Sequence, residues 1–190
     1  DNMAVEENID NAKQDIVKGD PEVLNGLEAL CTGKNAVQHT FDHFGNSFNW
    51  YQLDYPDQIL EAAEILSKAG ARLAIICAYN QHKGDKLMDN ACYEFVLNGV
   101  VYAVTAHMDA KHPSVPSITP LFNNADWHER EMMELYGIKI TNQPNPRRLF
   151  LHEELDKGLL GKIVPLSVMM NGASSTDLWE KILSDKEAGK

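Results

Sequence analysis

The sequence predicts an α+β fold: a mixed, mostly antiparallel sheet with helices packed on one face, plus an extended C-terminal tail. Three observations predict it. Aromatic and polar residues alternate along residues 46–55, as in a half-buried strand. Apolar residues at helical spacing follow in 56–68, and a continuous apolar run in 72–79 comes directly after. Two β-rich runs, 91–97 and 100–108, then meet at Asn98-Gly99, a dipeptide suited to the positive φ angles of a tight hairpin turn.

Each element has its own local signal. Residues 3–30 carry apolar positions at helical spacing, broken at Gly19-Asp20-Pro21. Pro21 suits the first turn of a second short helix, because a helix leaves that N–H unbonded anyway. Thr32 to Asn35 reads as a turn. Pro56 opens a helix to about Lys68, with Ile59, Leu60, Ala63 and Leu66 on its apolar side, and Gly70 stops it. Residues 80–90 are polar and read as a loop. Pro113, Pro116 and Pro120 make 109–120 an irregular extended connection. A short helix spans about Asp126 to Tyr136, closed by Gly137. Periodicity is then weak until a candidate helix around Asp177–Leu183. The expected organisation is a helical segment at 1–45, an α+β domain at 46–152 and a tail at 153–190.

Composition narrows the function. The chain has 17 Lys and Arg against 28 Asp and Glu, a formal net charge of −11. Such a surface repels nucleic-acid phosphates and anionic lipid. No apolar run reaches membrane-span length, and Asp1-Asn2-Met3 does not open a secretory signal. The expectation is a cytoplasmic protein that meets a membrane only through partners. Its three cysteines, Cys31, Cys77 and Cys92, form no CxxC pair. That pattern suits neither a disulfide framework nor an iron–sulfur cluster.

The informative stretch is Asp126 to Gly137, D-W-H-E-R-E-M-M-E-L-Y-G. Asp126 in the cap position and Glu129 three residues on form a capping-box-like pair. Arg130 has Asp126 four residues before it and Glu134 four after, a spacing that suits ion pairs along one helix face. Read locally, this is an exposed, salt-bridged helix. Trp127, Trp179 and the pairs Met132–Met133 and Met169–Met170 fit either a core or a partner contact.

The block from Ala125 to Ile138, followed by Asn145-Pro146-Arg147-Arg148-Leu149, resembles the signature of the 30 kDa subunit family of respiratory complex I, the NADH dehydrogenase. That family carries E-R-E-x-x-[DE]-[hydrophobic]-[FY]-G-I and then H-P-x-x-R-R-[LI]. Glu129, Arg130, Glu131, Glu134, Leu135, Tyr136, Gly137 and Ile138 match the first block. Arg147, Arg148 and Leu149 match the second, whereas Gln143-Pro144 stands where the family has His-Pro. The resemblance covers about residues 46–152. The tail is more similar to the corresponding subunits of energy-converting membrane-bound nickel–iron hydrogenases of the Ech and CO-induced types.

The resemblance implies a cofactor-free accessory subunit in the peripheral arm of a hydrogenase or NADH:quinone oxidoreductase. It implies partners: a large catalytic subunit, of nickel–iron hydrogenase or complex I 49 kDa type, and an iron–sulfur small subunit. Those partners would hold the clusters and the nickel–iron or quinone site, and nucleic acid would not be a partner. The resemblance also implies a subunit interface at Trp127, Glu129, Arg130, Glu131, Glu134, Tyr136, Arg147 and Arg148, with the tail wrapping a neighbour.

A rival reading uses His39 and His43. Their i, i+4 spacing would align two imidazoles on a helix for zinc, as in a metal-dependent hydrolase. Thr40 occupies the position where the catalytic form of that motif needs Glu.

Overall fold

Asp20 starts the first described helix, α1 (Pro21–Glu28). Its carboxylate accepts hydrogen bonds from the Glu22 and Val23 amides, and Pro21 takes the first turn. The computed structural model describes residues 19–83, 86–152 and 157–158, and only the backbone path of His82, Lys83 and Lys86. The expected helix at Asp177–Leu183, Trp179, the Met169–Met170 pair and helical residues before Gly19 lie outside the described residues.

Five strands follow in one sheet: β1 (Val37–Phe41), β2 (Ser47–Gln52), β3 (Arg72–Lys83), β4 (Lys86–Leu97) and β5 (Val100–Asp109). Their order is β1-β2-β5-β4-β3. Every pair is antiparallel except β2 with β5, which run parallel. That parallel pair needs a long crossover, and helix α2 (Ile59–Lys68), β3 and β4 lie within it. A single 3₁₀ turn at Pro56–Gln58 leads into α2. The fold is therefore α+β with a mixed, mostly antiparallel sheet.

Register assigns the two faces. Tyr51 lies beside Val104, Tyr93 opposite Val104, and Phe95 opposite Tyr102. All five are fully buried. Val23 and Leu27 of α1, and Ile59, Ala62, Ala63 and Leu66 of α2, join the same core. Burying each large apolar side chain contributes about 1.5–3 kcal/mol, so this covered face holds most of the stability. The opposite face carries the row Trp50, Ala103, Glu94 and Ile75. Trp50, Ile75 and nearby Tyr79 remain exposed there.

Three expectations change. Residues 80–90 do not form a loop: β3 continues to Lys83 and β4 begins at Lys86. Polar residues extend the ladder because the backbone bonds regardless of side chain, and Asn80 also donates to Asp89. The described part of the 1–45 segment holds α1 and then strand β1, which antiparallel pairing with β2 secures. The proline-rich connection contains β6 (Ser114–Pro116), paired in parallel with β7 (Lys139–Thr141).

The hairpin turn behaves as its sequence requires, with φ of 51° at Asn98 and 80° at Gly99. A Cβ at Gly99 would meet no atom within 4 Å, so only backbone strain opposes a side chain there. Gly99→Ala should therefore destabilise the chain by about 1 kcal/mol. Urea titration should show a lower midpoint with an unchanged slope.

Candidate functional site

Helix α3 (Ala125–Glu131) passes directly into a wider π-helical turn, Met132–Tyr136, which Gly137 ends at φ 71°. The helix begins two residues earlier than a cap at Asp126 requires, with Asn124 at the cap position. Asp126 sits in the first turn, where it meets Arg130 Nη1 at 3.3 Å and accepts from Asn145 Nδ2 at 3.4 Å. Glu129 turns into the core instead of back to the helix start. The capping-box expectation thus fails, because both carboxylates find partners from distant segments.

Glu129 is fully buried. Its Oε1 accepts the Ile118 amide at 2.7 Å. Its Oε2 accepts the Ser117 hydroxyl at 2.7 Å, the Thr119 hydroxyl at 2.9 Å and Gln143 Nε2 at 2.9 Å. Burial pushes this carboxyl above its ordinary range, and the surrounding donors pull against that shift. Tyr93, also buried, feels the charge of Glu129 and is itself raised, chiefly by burial.

Arg130 and Glu134 divide the next loop between them. Arg130 Nε donates to the Arg147 carbonyl at 3.0 Å and Nη2 to the Arg148 carbonyl at 2.6 Å. The Glu134 carboxylate accepts three successive amides: Leu149 at 3.1 Å, Phe150 at 3.1 Å and Leu151 at 2.6 Å. Arg148 Nη1 stands 3.8 Å from it. The Glu134 carbonyl also accepts the Gly158 amide at 2.9 Å. Of the two pairs expected for Arg130, the one with Asp126 forms, whereas Glu134 faces Arg148 instead.

The remaining residues named from the sequence lie outward. Trp127 is 68% exposed, Arg147 is exposed, and Glu131 and Tyr136 are half-buried. Glu131 is near enough to Tyr136 and Cys77 to raise both, after burial, which acts more strongly. Arg130, Glu134, Pro146, Arg147, Arg148 and Lys157 line an open cavity of about 330 Å³. Phe150, on the segment that Glu134 holds, is 64% exposed.

Sequence reasoning missed Ser117, Thr119, Gln143 and Asn145. Their partners lie 10 to 19 residues away, beyond any helical or strand period. Gln143 left one trace: it stands where the resembled signature has His. Its Oε1 also accepts the Asn145 amide at 2.9 Å.

His39 and His43 share no helix face. His39 lies on β1, where Nδ1 donates to Asn49 Oδ1 at 2.6 Å, and His43 packs on the Phe44 ring. Among the described residues, no three His, Cys, Asp or Glu side chains gather as metal ligands. The metal-hydrolase reading thus finds no supporting geometry.

Residues 55–174 match the family model described as respiratory-chain NADH dehydrogenase, 30 Kd subunit. The chain is 50% identical over 42 residues to NAD(P)H-quinone oxidoreductase subunit J of Synechococcus sp. (strain CC9605), covering 22% of each protein. It is 32% identical over 85 residues to the protein of that name from Prochlorococcus marinus (strain NATL1A), covering 45% of this chain and 46% of the relative. These matches span less than half the length of the curated relatives. A solved trypsin-resistant fragment of Nqo5 aligns with 65% of this chain and 96% of its own, at 21% identity and a TM-score of 0.49.

Two outcomes follow from the buried charges. Because Glu129 is raised above its ordinary 4.5, the folded state binds more protons than the unfolded state above that pH. Its contribution is full below about 4.5 and is lost as pH rises through the folded value. The stability advantage of wild type over Glu129→Gln should therefore shrink as pH rises, as read by unfolding titrations. Separately, Glu134→Ala strands the amides of Leu149, Phe150 and Leu151. A bond to a charged group contributes about 1.5–3 kcal/mol, so hydrogen exchange at those three amides should accelerate roughly ten- to a hundredfold.

Proposed function

The chain belongs to the respiratory-chain NADH dehydrogenase 30 Kd subunit family, and from that premise we propose that it is a cofactor-free accessory subunit of a membrane-bound oxidoreductase complex. It docks on the large catalytic subunit of a hydrogenase or NADH:quinone oxidoreductase, beside an iron–sulfur small subunit. There it braces an electron-transfer path coupled to ion translocation. Its membrane association is peripheral and runs through those partners. Among the described residues, no helix is long and apolar enough to cross a membrane.

One observation carries the docking reading. Glu129, Arg130 and Glu134 of the signature run bond inside the chain, while Trp127 of the helix and Arg147 and Phe150 of the segment it holds are exposed. Exposed aromatic and Arg side chains on fixed backbone are typical anchors of protein interfaces. The interface then consists of Trp127, Glu131, Tyr136 and Arg147, with Phe150 added. Glu129, Arg130, Glu134 and Arg148 shape it from below.

This division sets the test. Reversing Arg148 would also disturb Glu134, so Arg147 is the cleaner site. Trp127→Ala combined with Arg147→Glu should leave the circular dichroism unchanged. Native co-purification should then lose the large and iron–sulfur subunits. Recovery of an intact complex would show that docking uses another surface.

A further inference from the structure

Cys77 and Cys92 are 15 residues apart in sequence but direct register partners on the antiparallel strands β3 and β4. Residues directly opposite on such strands project to the same face, with Cα atoms about 4.5–5.5 Å apart. A disulfide spans Cα separations of about 4.4–6.8 Å. The Cα spacing suits a disulfide, and since opposite Cβ atoms lie about 4.5–5.5 Å apart where the bond wants about 3.5–4.5 Å, the two strands close by about 1 Å as it forms. Both lie on the open face of the sheet, beside Thr105 on β5. Cys77 is exposed and Cys92 is 9% exposed. One thiol thus meets solvent while its neighbour is sheltered beside it.

We propose that Cys77 and Cys92 form a two-thiol oxidation site whose substrate is a hydroperoxide and whose product is a cross-strand disulfide. The Cys77 thiolate attacks a peroxide oxygen, the O–O bond breaks, and the alcohol leaves with a proton. The resulting Cys77 sulfenic acid is then attacked by the Cys92 sulfur. The S–O bond breaks and water leaves. In sum, two thiols are oxidised, and the peroxide is reduced to one alcohol and one water. The proposal does not depend on the subunit reading, because it uses only this chain and an added oxidant.

The surroundings set the pace of this step. Burial raises both thiols, and the charge of Glu94 raises them further. Glu131 adds to the effect on Cys77, whereas a hydrogen bond with Thr105 opposes it on Cys92. The thiolate is the reactive form, so the site rests reduced and responds to sustained oxidant. Cys31 is also buried, at the far end of α1, and burial pushes its thiol up to about 11. It does not compete. The product would fasten the edge strand β3 to β4 beside Glu131 and Tyr136 of the signature helix.

The experiment uses the full chain, purified reduced and exposed to hydrogen peroxide, with thiols blocked before denaturation. Two of the three thiols should disappear and the intact mass should fall by two hydrogens. Peptide mapping should join Cys77 to Cys92 within one chain, and dithiothreitol should reverse the change. Cys92→Ser should instead accumulate a Cys77 sulfenic acid that dimedone traps. Glu94→Gln should speed the wild-type reaction at neutral pH. Disulfides between chains would overturn the proposal. So would oxidation of Cys77 past the sulfenic acid while Cys92 stays free in the wild-type protein. The wild-type mapping decides the matter even if a serine variant fails to fold.

Discussion

The buried carboxylate of Glu129 is the constraint around which the second half of the domain is arranged. A charge taken out of water costs several kcal/mol unless donors replace the lost hydration. Here the donors come from both sides of helix α3 in sequence: Ser117, Ile118 and Thr119 before it, and Gln143 after it. Satisfying one side chain therefore fixes the position of two loops. It also holds β6 and β7 close, since Ser117 follows β6 and Gln143 follows β7. Their parallel pairing is short, and the carboxylate reinforces it from outside the ladder.

Arg130 and Glu134 extend the same principle to 147–151, a segment outside helix and strand. Backbone groups without a ladder still need partners. A guanidinium supplies only donors and takes the carbonyls of Arg147 and Arg148. An ionised carboxylate supplies only acceptors and takes the amides of Leu149, Phe150 and Leu151. The opposite signs are thus matched to opposite faces of the peptide backbone. The run from Glu129 to Glu134 and the later Arg147-Arg148-Leu149 form one structural unit. The first block carries the side chains, and the second mostly offers its backbone.

Local chemistry made much of the fold legible. Asn98-Gly99 turned the hairpin, Pro21 opened α1, and Gly70 and Gly137 ended helical segments at positive φ. What depended on distant pairing was not legible. Strand β1 exists by pairing with β2, and the polar stretch of β3 and β4 by pairing with each other. On the signature helix the Arg130–Asp126 spacing held, and the other pairings were missed for a related reason. Spacing of i, i+4 presumes an exposed α-helix, yet Arg130 and Glu134 both reach for a loop. The turn carrying Glu134 is also π-helical, so ideal α spacing no longer describes it. Sequence placed Glu129, Arg130 and Glu134 on an exposed face, and the structure buries these three while Arg147 stays exposed.

That reassignment changes what drives the docking we propose. A carboxylate or guanidinium already bonded to backbone gains little from a partner's charge, because forming a new pair breaks an existing one. Apolar surface faces no such exchange. Aromatic side chains bury about 150–250 Å² each, so covering the exposed parts of Trp127 and Phe150 releases roughly 3 kcal/mol apiece at about 25 cal/mol per Å². Side-chain ordering takes back part of that gain. Arg147 then acts mainly on orientation and encounter rate, as rim charges do. Affinity therefore rests on the aromatic pair, and the buried charges act by holding that pair in place before a partner arrives.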